Sequence, residues 1–312
     1  VWAGVLRRLL RALATLLVSS FLIFAALYLA PGSPLGFLTH GHTLSPEAIH
    51  SIEAQYHLNK PFFERYWLWL TGVLQGDLGR STITREPVTT LLSPRIGVTF
   101  TLVAMGAFLI VVGGVLLGVL AGVRGRRTDG VVLTAVTIGM AIPSFVTATI
   151  LINYLALKLG WFPVYGAGSG FGDRLWHLTL PAISLALGLV AYVALITRAA
   201  VRVEMGSDHS DTARGRGLRE GLVIRRHVVR NALIPVVTVS GITVASLVAG
   251  VAVVETAYEL PGIGAYLVQS VTNNDFPVVQ GICLILVVVY VVVNAVVDVL
   301  YLLLDPRLRR SR

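Results

Sequence analysis

The scarce carboxylates are the first candidates for chemistry. Glu255 and Glu259 stand four apart, ahead of Pro261, Gly262 and Gly264, and no lysine or arginine follows them before Arg307. Two readings are open. One is an outer gate or lip that meets a partner protein or an amino group. The other is a tight reversal carrying solvated carboxylates, for which Gly and Pro are needed anyway. Asp298 lies within the last apolar run, about two helical turns from Asp305. A carboxylate in a spanning helix is a functional candidate by default, but one this near the end of its run can equally pair with an interfacial arginine. His40, His42, His50 and His57 cluster in sequence without the carboxylate spacing of a zinc site, so no metal site is expected. Cys283 stands alone, which excludes an intrachain disulfide and a cysteine metal cluster. The two lysines, Lys60 and Lys158, precede Pro61 and Leu159, so the phosphate-binding pattern Gly-x4-Gly-Lys-Ser/Thr is absent. No nucleophile stands with a base, so no catalytic residue is assigned and the chain reads as non-catalytic.

The most informative stretch is the basic loop 198–232. Its segment Asp208-His209-Ser210-Asp211-Thr212-Ala213-Arg214-Gly215-Arg216-Gly217-Leu218-Arg219 predicts a short helix capped by Asp208. Asp211 would take the third helical position, and Gly215 to Gly217 would close the helix. Ala213 and Gly217, four apart, would share a face almost without side chains. Such a face can press into a groove on another protein, so bulk there is expected to harm docking and not folding. A solvated basic loop whose arginines only set topology fits the spacing equally well.

Apolar helices must carry these groups. Of 312 residues, 55% are hydrophobic and 13% charged, and the mean hydropathy is +0.79, beyond what soluble domains normally reach. Uncharged runs at 12–30, 98–123, 131–157, 178–197, 233–254 and 278–304 are each long enough to cross a hydrocarbon core about 30 Å thick. In lipid the backbone must satisfy its own hydrogen bonds, so the expected fold is all-α and polytopic, with about six transmembrane helices. Arginines gather before the first run, between the second and third, across 198–230 and after the last. The formal charge of +9 is therefore a topology signal that places both termini in the cytoplasm and argues against a nucleic-acid partner. Basic residues before the first run invite a signal-peptide reading, but Ala30 is followed directly by Pro31, which favours an uncleaved helix.

The long segment 31–97 is expected to be extracytoplasmic. A helix start is expected at Ser45-Pro46, and an amphipathic stretch 62–74 carries Tyr66, Trp67 and Trp69, which suit the membrane interface, the favoured reading, or a partner protein. Gly114, Gly118 and Gly122 form a stripe read as packing within the bundle. Pro143 and Pro181 are expected to interrupt the third and fourth spans, and Pro235 falls near the start of the fifth.

Asp211-Thr212-Ala213 with Gly217 resembles the Glu-Ala-Ala-x3-Gly pattern of binding-protein-dependent ABC importer permeases of type I. Asn231-Ala232-Leu233-Ile234-Pro235 is similar to the B-type subunit of dipeptide and oligopeptide permeases. So are Tyr28 to Pro34, Gly76 to Gly79, Ile142 to Phe145, Leu159 to Val164, Glu255 to Gly264 and Asp275 to Gly281. The departures are Asp211 for Glu, Thr212 for the first Ala, and His209-Ser210 where an aromatic and an aliphatic residue are frequent.

The resemblance covers nearly the whole chain and implies a permease subunit in a bacterial inner membrane that forms half of a peptide pathway. Its implied partners are a second homologous permease, two ATP-binding subunits or domains, an extracytoplasmic substrate-binding protein and the lipid bilayer. It implies no cofactor in this chain, with ATP and Mg on the partners. Asp211, Thr212, Ala213, Gly217, Leu218 and Arg219 would couple to the ATPase, and the Glu255 to Gly264 turn would meet the binding protein or gate the outer side. The implied organisation is a first span within 1–30, an extracytoplasmic segment 31–97 and a permease core 98–312 containing the coupling loop. A proton-coupled carrier would need a buried ionisable relay, and five of the six runs hold no ionisable side chain of that kind. A membrane enzyme or receptor lacks both a catalytic constellation and an appended domain. Dipeptide, oligopeptide, glutathione and chelated metal all remain open as cargo.

Overall fold

The apolar runs fold as helices. The computed structural model describes residues 2–29, 47, 59–124 and 126–304. Among them the helices are α1 (Trp2–Leu29), α2 (Phe62–Leu74), α3 (Val88–Val123), α4 (Arg126–Ala141), α5 (Ser144–Lys158), α6 (Phe171–His177) and α7 (Thr179–Met205). The short α8 (Asp208–Gly215) is followed by α9 (Glu220–Ala257), α10 (Ile263–Thr272) and α11 (Phe276–Leu304). An isolated bridge pairs Arg80 with Pro87. Five helical stretches are long and apolar enough to cross a membrane, or six if a bent pair counts as one span. The histidines 40, 42, 50 and 57, the Ser45-Pro46 start, Asp305 and the terminal arginines lie outside the described residues.

Proline acts differently at each site. At Pro143 the third apolar run breaks into α4 and α5, bent by 102°. Pro181, expected to interrupt the fourth span, falls in the first turn of α7, where a missing N–H breaks no intrahelical bond. Pro235 is accommodated inside α9. The helix of the second run starts at Val88 and not at Val98, and carries Pro94 within its first turns.

The chain divides into two compact units. One comprises Val98–Gly262 with the chain from Val292. In it the glycine stripe of α3 lies against α7: a Cβ on Gly114, Gly118 or Gly122 would come 2.7, 2.4 or 2.6 Å from Val193, Thr197 or Val201. Close approach without side chains is what small residues give membrane helices, and here it is spent inside the chain. Leu102, Ile110, Leu180, Val193, Leu247 and Val251 fill the core around this contact.

The other unit comprises Trp2–Gly97 and Ile263–Val291. Phe21 and Phe24 of α1 pack their rings on Phe62 and Tyr66 of α2, Trp69 joins Phe24, and Ser20 shares a 2.9 Å hydrogen bond with the Tyr66 hydroxyl. Tyr66 and Trp69, expected at the interface, therefore dock α2 on α1, and only Trp67 among the three is strongly exposed. Val88 and Leu92 bury against Ile263, Val278 and Ile282. The carboxylate of Asp275 holds the 81–84 turn, accepting from the Ser81 and Thr82 hydroxyls and from the Thr82 N–H at 3.0 Å.

Candidate functional site

The loop between α7 and α9 builds its own small core. α7 ends at Met205, and Ser207 is the N-cap of α8, one residue earlier than expected, so Asp208 and Asp211 occupy the first and fourth helical positions. Both still place negative charge near the helix N-terminus, where the macrodipole favours it. The Ser207 and Ser210 hydroxyls donate to the Glu204 carbonyl at 2.6 and 2.8 Å, sealing the turn from α7.

α8 closes in a Schellman motif. Leu218 N–H donates to the Ala213 carbonyl and Gly217 N–H to that of Arg214, with Gly217 at φ +76°. Gly217 thus lies beyond the last helical turn, exposed, with open space where a Cβ would point. Ala213 instead turns inward and packs with Val201, Val223, Val228 and Ala232. The shared small face expected of Ala213 and Gly217 does not form, because the helix ends between them. The outward surface consists of Asp208, His209, Asp211 and Thr212, continued by Leu218 and Arg219.

Two further residues, outside the expected coupling set, hold this helix in place. Arg214 donates to the Met205 carbonyl (2.9 Å), to Asp211 (2.8 Å) and, through two nitrogens, to Glu220 (3.1 and 3.2 Å). It joins the end of α7, the middle of α8 and the start of α9. The bond to Glu220 first, and that to Asp211 second, raise the guanidinium above its usual pKa. His209 Nε2 lies 3.1 Å from a Glu204 carboxylate oxygen and 3.0 Å from Asn231 Nδ2. The three-residue spacing of Asp211 and Arg214 was a signal for the first; none in the sequence pointed to the second.

The turn after α9 separates its two carboxylates. Glu255 is fully buried, and Thr99 Oγ1 donates to its Oε1 from 2.5 Å. Glu259 is exposed at φ +50°. It occupies the left-handed position of a second Schellman closure, in which Leu260 N–H donates to the Glu255 carbonyl and Glu259 N–H to that of Thr256. A solvated pair is therefore not what forms. Pro261 is exposed, whereas Gly262 is buried, as is Gly264 in α10. Asp298 falls within α11.

Residues 114–310 match the model of the binding-protein-dependent transport system inner membrane component, and residues 2–103 match that of its N-terminal region. The chain is 35% identical over 309 residues to a probable peptide ABC transporter permease protein of Sinorhizobium fredii, covering 98% of each. It is 35% identical over 305 residues to a glutathione transport system permease protein of Pectobacterium atrosepticum, covering 97% of this chain and 98% of that one. A crystal structure of an amino acid ABC transporter with histidines shares the fold, with a TM-score of 0.53 at 18% identity over 68% of this chain and 94% of that one. The chain belongs to the family of binding-protein-dependent transport system inner membrane components, as an all-helical, multi-pass permease of the inner membrane.

Proposed function

We propose that this chain is one of two homologous permease subunits of an ATP-driven importer of di- or oligopeptides, supplied by an extracytoplasmic binding protein. ATP and Mg bind to separate ATPase subunits or domains, against which α8 docks from the cytoplasmic side. End-to-end similarity to a probable peptide permease carries this reading. The tethering of α8 through Arg214 supports a coupling role. A push on α8 would reach α7 and α9 together, as rigid-body transmission requires. Glutathione is the second reading of the cargo, favoured by relatives of that name at equal identity.

Co-reconstitution with the partner subunits and the binding protein tests both. Uptake of labelled oligopeptide that depends on ATP and on this chain is expected, with free glutathione as competitor. Uptake of glutathione alone would move the cargo to the second reading. The purified chain by itself is expected neither to bind nor to hydrolyse ATP, and intrinsic turnover would overturn the assignment.

A further inference from the structure

Within the same loop, but beyond α8, the first turns of α9 present a surface that the docking of α8 does not use. Leu222, Arg225, Arg226, Val229, Arg230 and Leu233 line an open groove of about 440 Å³. The helix widens to a π-turn over Ile224–Val229, which brings residues four and five apart onto one stripe. All three arginines are exposed, and among the described residues none of their guanidinium groups has an acidic partner in the chain. Arg226 and Arg230, four apart, repel one another modestly, so an anion against the stripe is favoured.

Position says which anion. The uncharged run of α9 begins at Leu233. At a rise of about 1.5 Å per residue, Arg230 and Arg226 stand roughly 4.5 and 10.5 Å before it along the helix axis. The headgroup layer is about 5 to 8 Å deep on each side of the hydrocarbon, so Arg230 falls within it, while Arg226 and Arg225 start just outside it and reach the phosphate level with their long side chains. Leu233, the first residue of that run, forms the membrane-proximal end of the same groove, and Val229 lies about one turn before it, between Arg226 and Arg230. An acidic protein surface would match the charges but gives no reason for them to stand against the end of an apolar run.

We propose that the stripe is a binding site for an anionic phospholipid. The phosphate accepts hydrogen bonds from Arg225, Arg226 and Arg230, and the glycerol and upper acyl chain rest on Val229 and Leu233. The site acts independently of the peptide cargo.

The full chain, purified alone and with its partner subunits, is placed in mixed bilayers of phosphatidylglycerol and phosphatidylcholine, and the retained lipid is counted by native mass spectrometry. The wild type is expected to retain phosphatidylglycerol preferentially in both forms. Replacing Arg225, Arg226 and Arg230 together by Gln should abolish the preference, at about fivefold per arginine. The control Arg216→Gln should keep it. Equal retention by the wild type and the triple variant overturns the proposal, since the arginines would then serve topology alone. Loss of the lipid on assembly with the partners also overturns it, as does displacement by inorganic phosphate, which would mark a partner interface or a simple anion site.

Discussion

The carboxylate of Glu255 lies directly over the Cα of Gly262. A Cβ built at Gly262 would fall 2.1 Å from Oε1 and 2.2 Å from Oε2, while Thr99 Oγ1 donates to Oε1. A buried carboxylate is tolerable only with its hydrogen bonds intact, so the glycine is what lets the turn close onto it. Gly262→Ala is expected to destabilise the subunit by about 1 to 3 kcal/mol, as forced overpacking does. Glu255→Gln keeps the shape and an oxygen acceptor for Thr99, and should cost less. Thermal unfolding of the detergent-solubilised chain, followed by tryptophan fluorescence, ranks the two; the reverse order would break this account.

Four helices end in the same closure with different residues in the left-handed position: Gly76 after α2, Gly217 after α8, Glu259 after α9 and Asn274 after α10. Glycine and asparagine suit that conformation, and glutamate does not. Glu259→Gly should therefore stabilise the subunit by about 1 kcal/mol. If the exposed carboxylate is kept for contact with the binding protein, the same variant lowers binding-protein-stimulated ATP turnover in the reconstituted importer. Glu259→Gln should lower turnover without the gain in stability. Unchanged turnover in both variants would leave Glu259 as a turn residue only.

How much was legible follows the range of each interaction. The apolar runs, the α3 glycine stripe and the position of α8 are local patterns, and all can be read from spacing. The 102° bend at Pro143 and the unbroken α7 at Pro181 look alike in sequence. They differ because one proline falls midway along its apolar run and the other at the start of its run, within the first turn of α7. The burial of Glu255 depends on Thr99, 156 positions away, and no periodicity carries that. Ala213 and Gly217 misled for a simpler reason: four-residue spacing implies a common face only while the helix lasts, and α8 stops at Gly215.

Topology is open to direct measurement. The arginine distribution requires a reporter fused after Arg310 to behave as cytoplasmic and one near Thr43 as extracytoplasmic. Reporters found on the same side would make an even number of spans untenable and reduce the bent α4 and α5 pair to something other than one crossing.

The coupling reading is tested most sharply by two neighbours on α8, one exposed and one buried. Ala213 packs into the cluster of Val201, Val223, Val228 and Ala232, while Thr212 is exposed beside Asp211. Ala213→Arg forces a long charged side chain into a closed contact and should cost the subunit itself about 1 to 3 kcal/mol or more. Its effect on uptake would then follow from lost folded protein. Thr212→Arg adds the same side chain to the outer surface, so the yield and melting temperature of the subunit should stay at wild type. If that surface lies against the ATPase, overpacking of the same size there weakens association by roughly five- to a hundredfold. Co-purification of the ATPase with each variant, together with melting temperatures, separates these outcomes. Full ATPase recovery and normal uptake with Thr212→Arg would show that the exposed face of α8 is not the docking surface, whatever its resemblance to the coupling pattern.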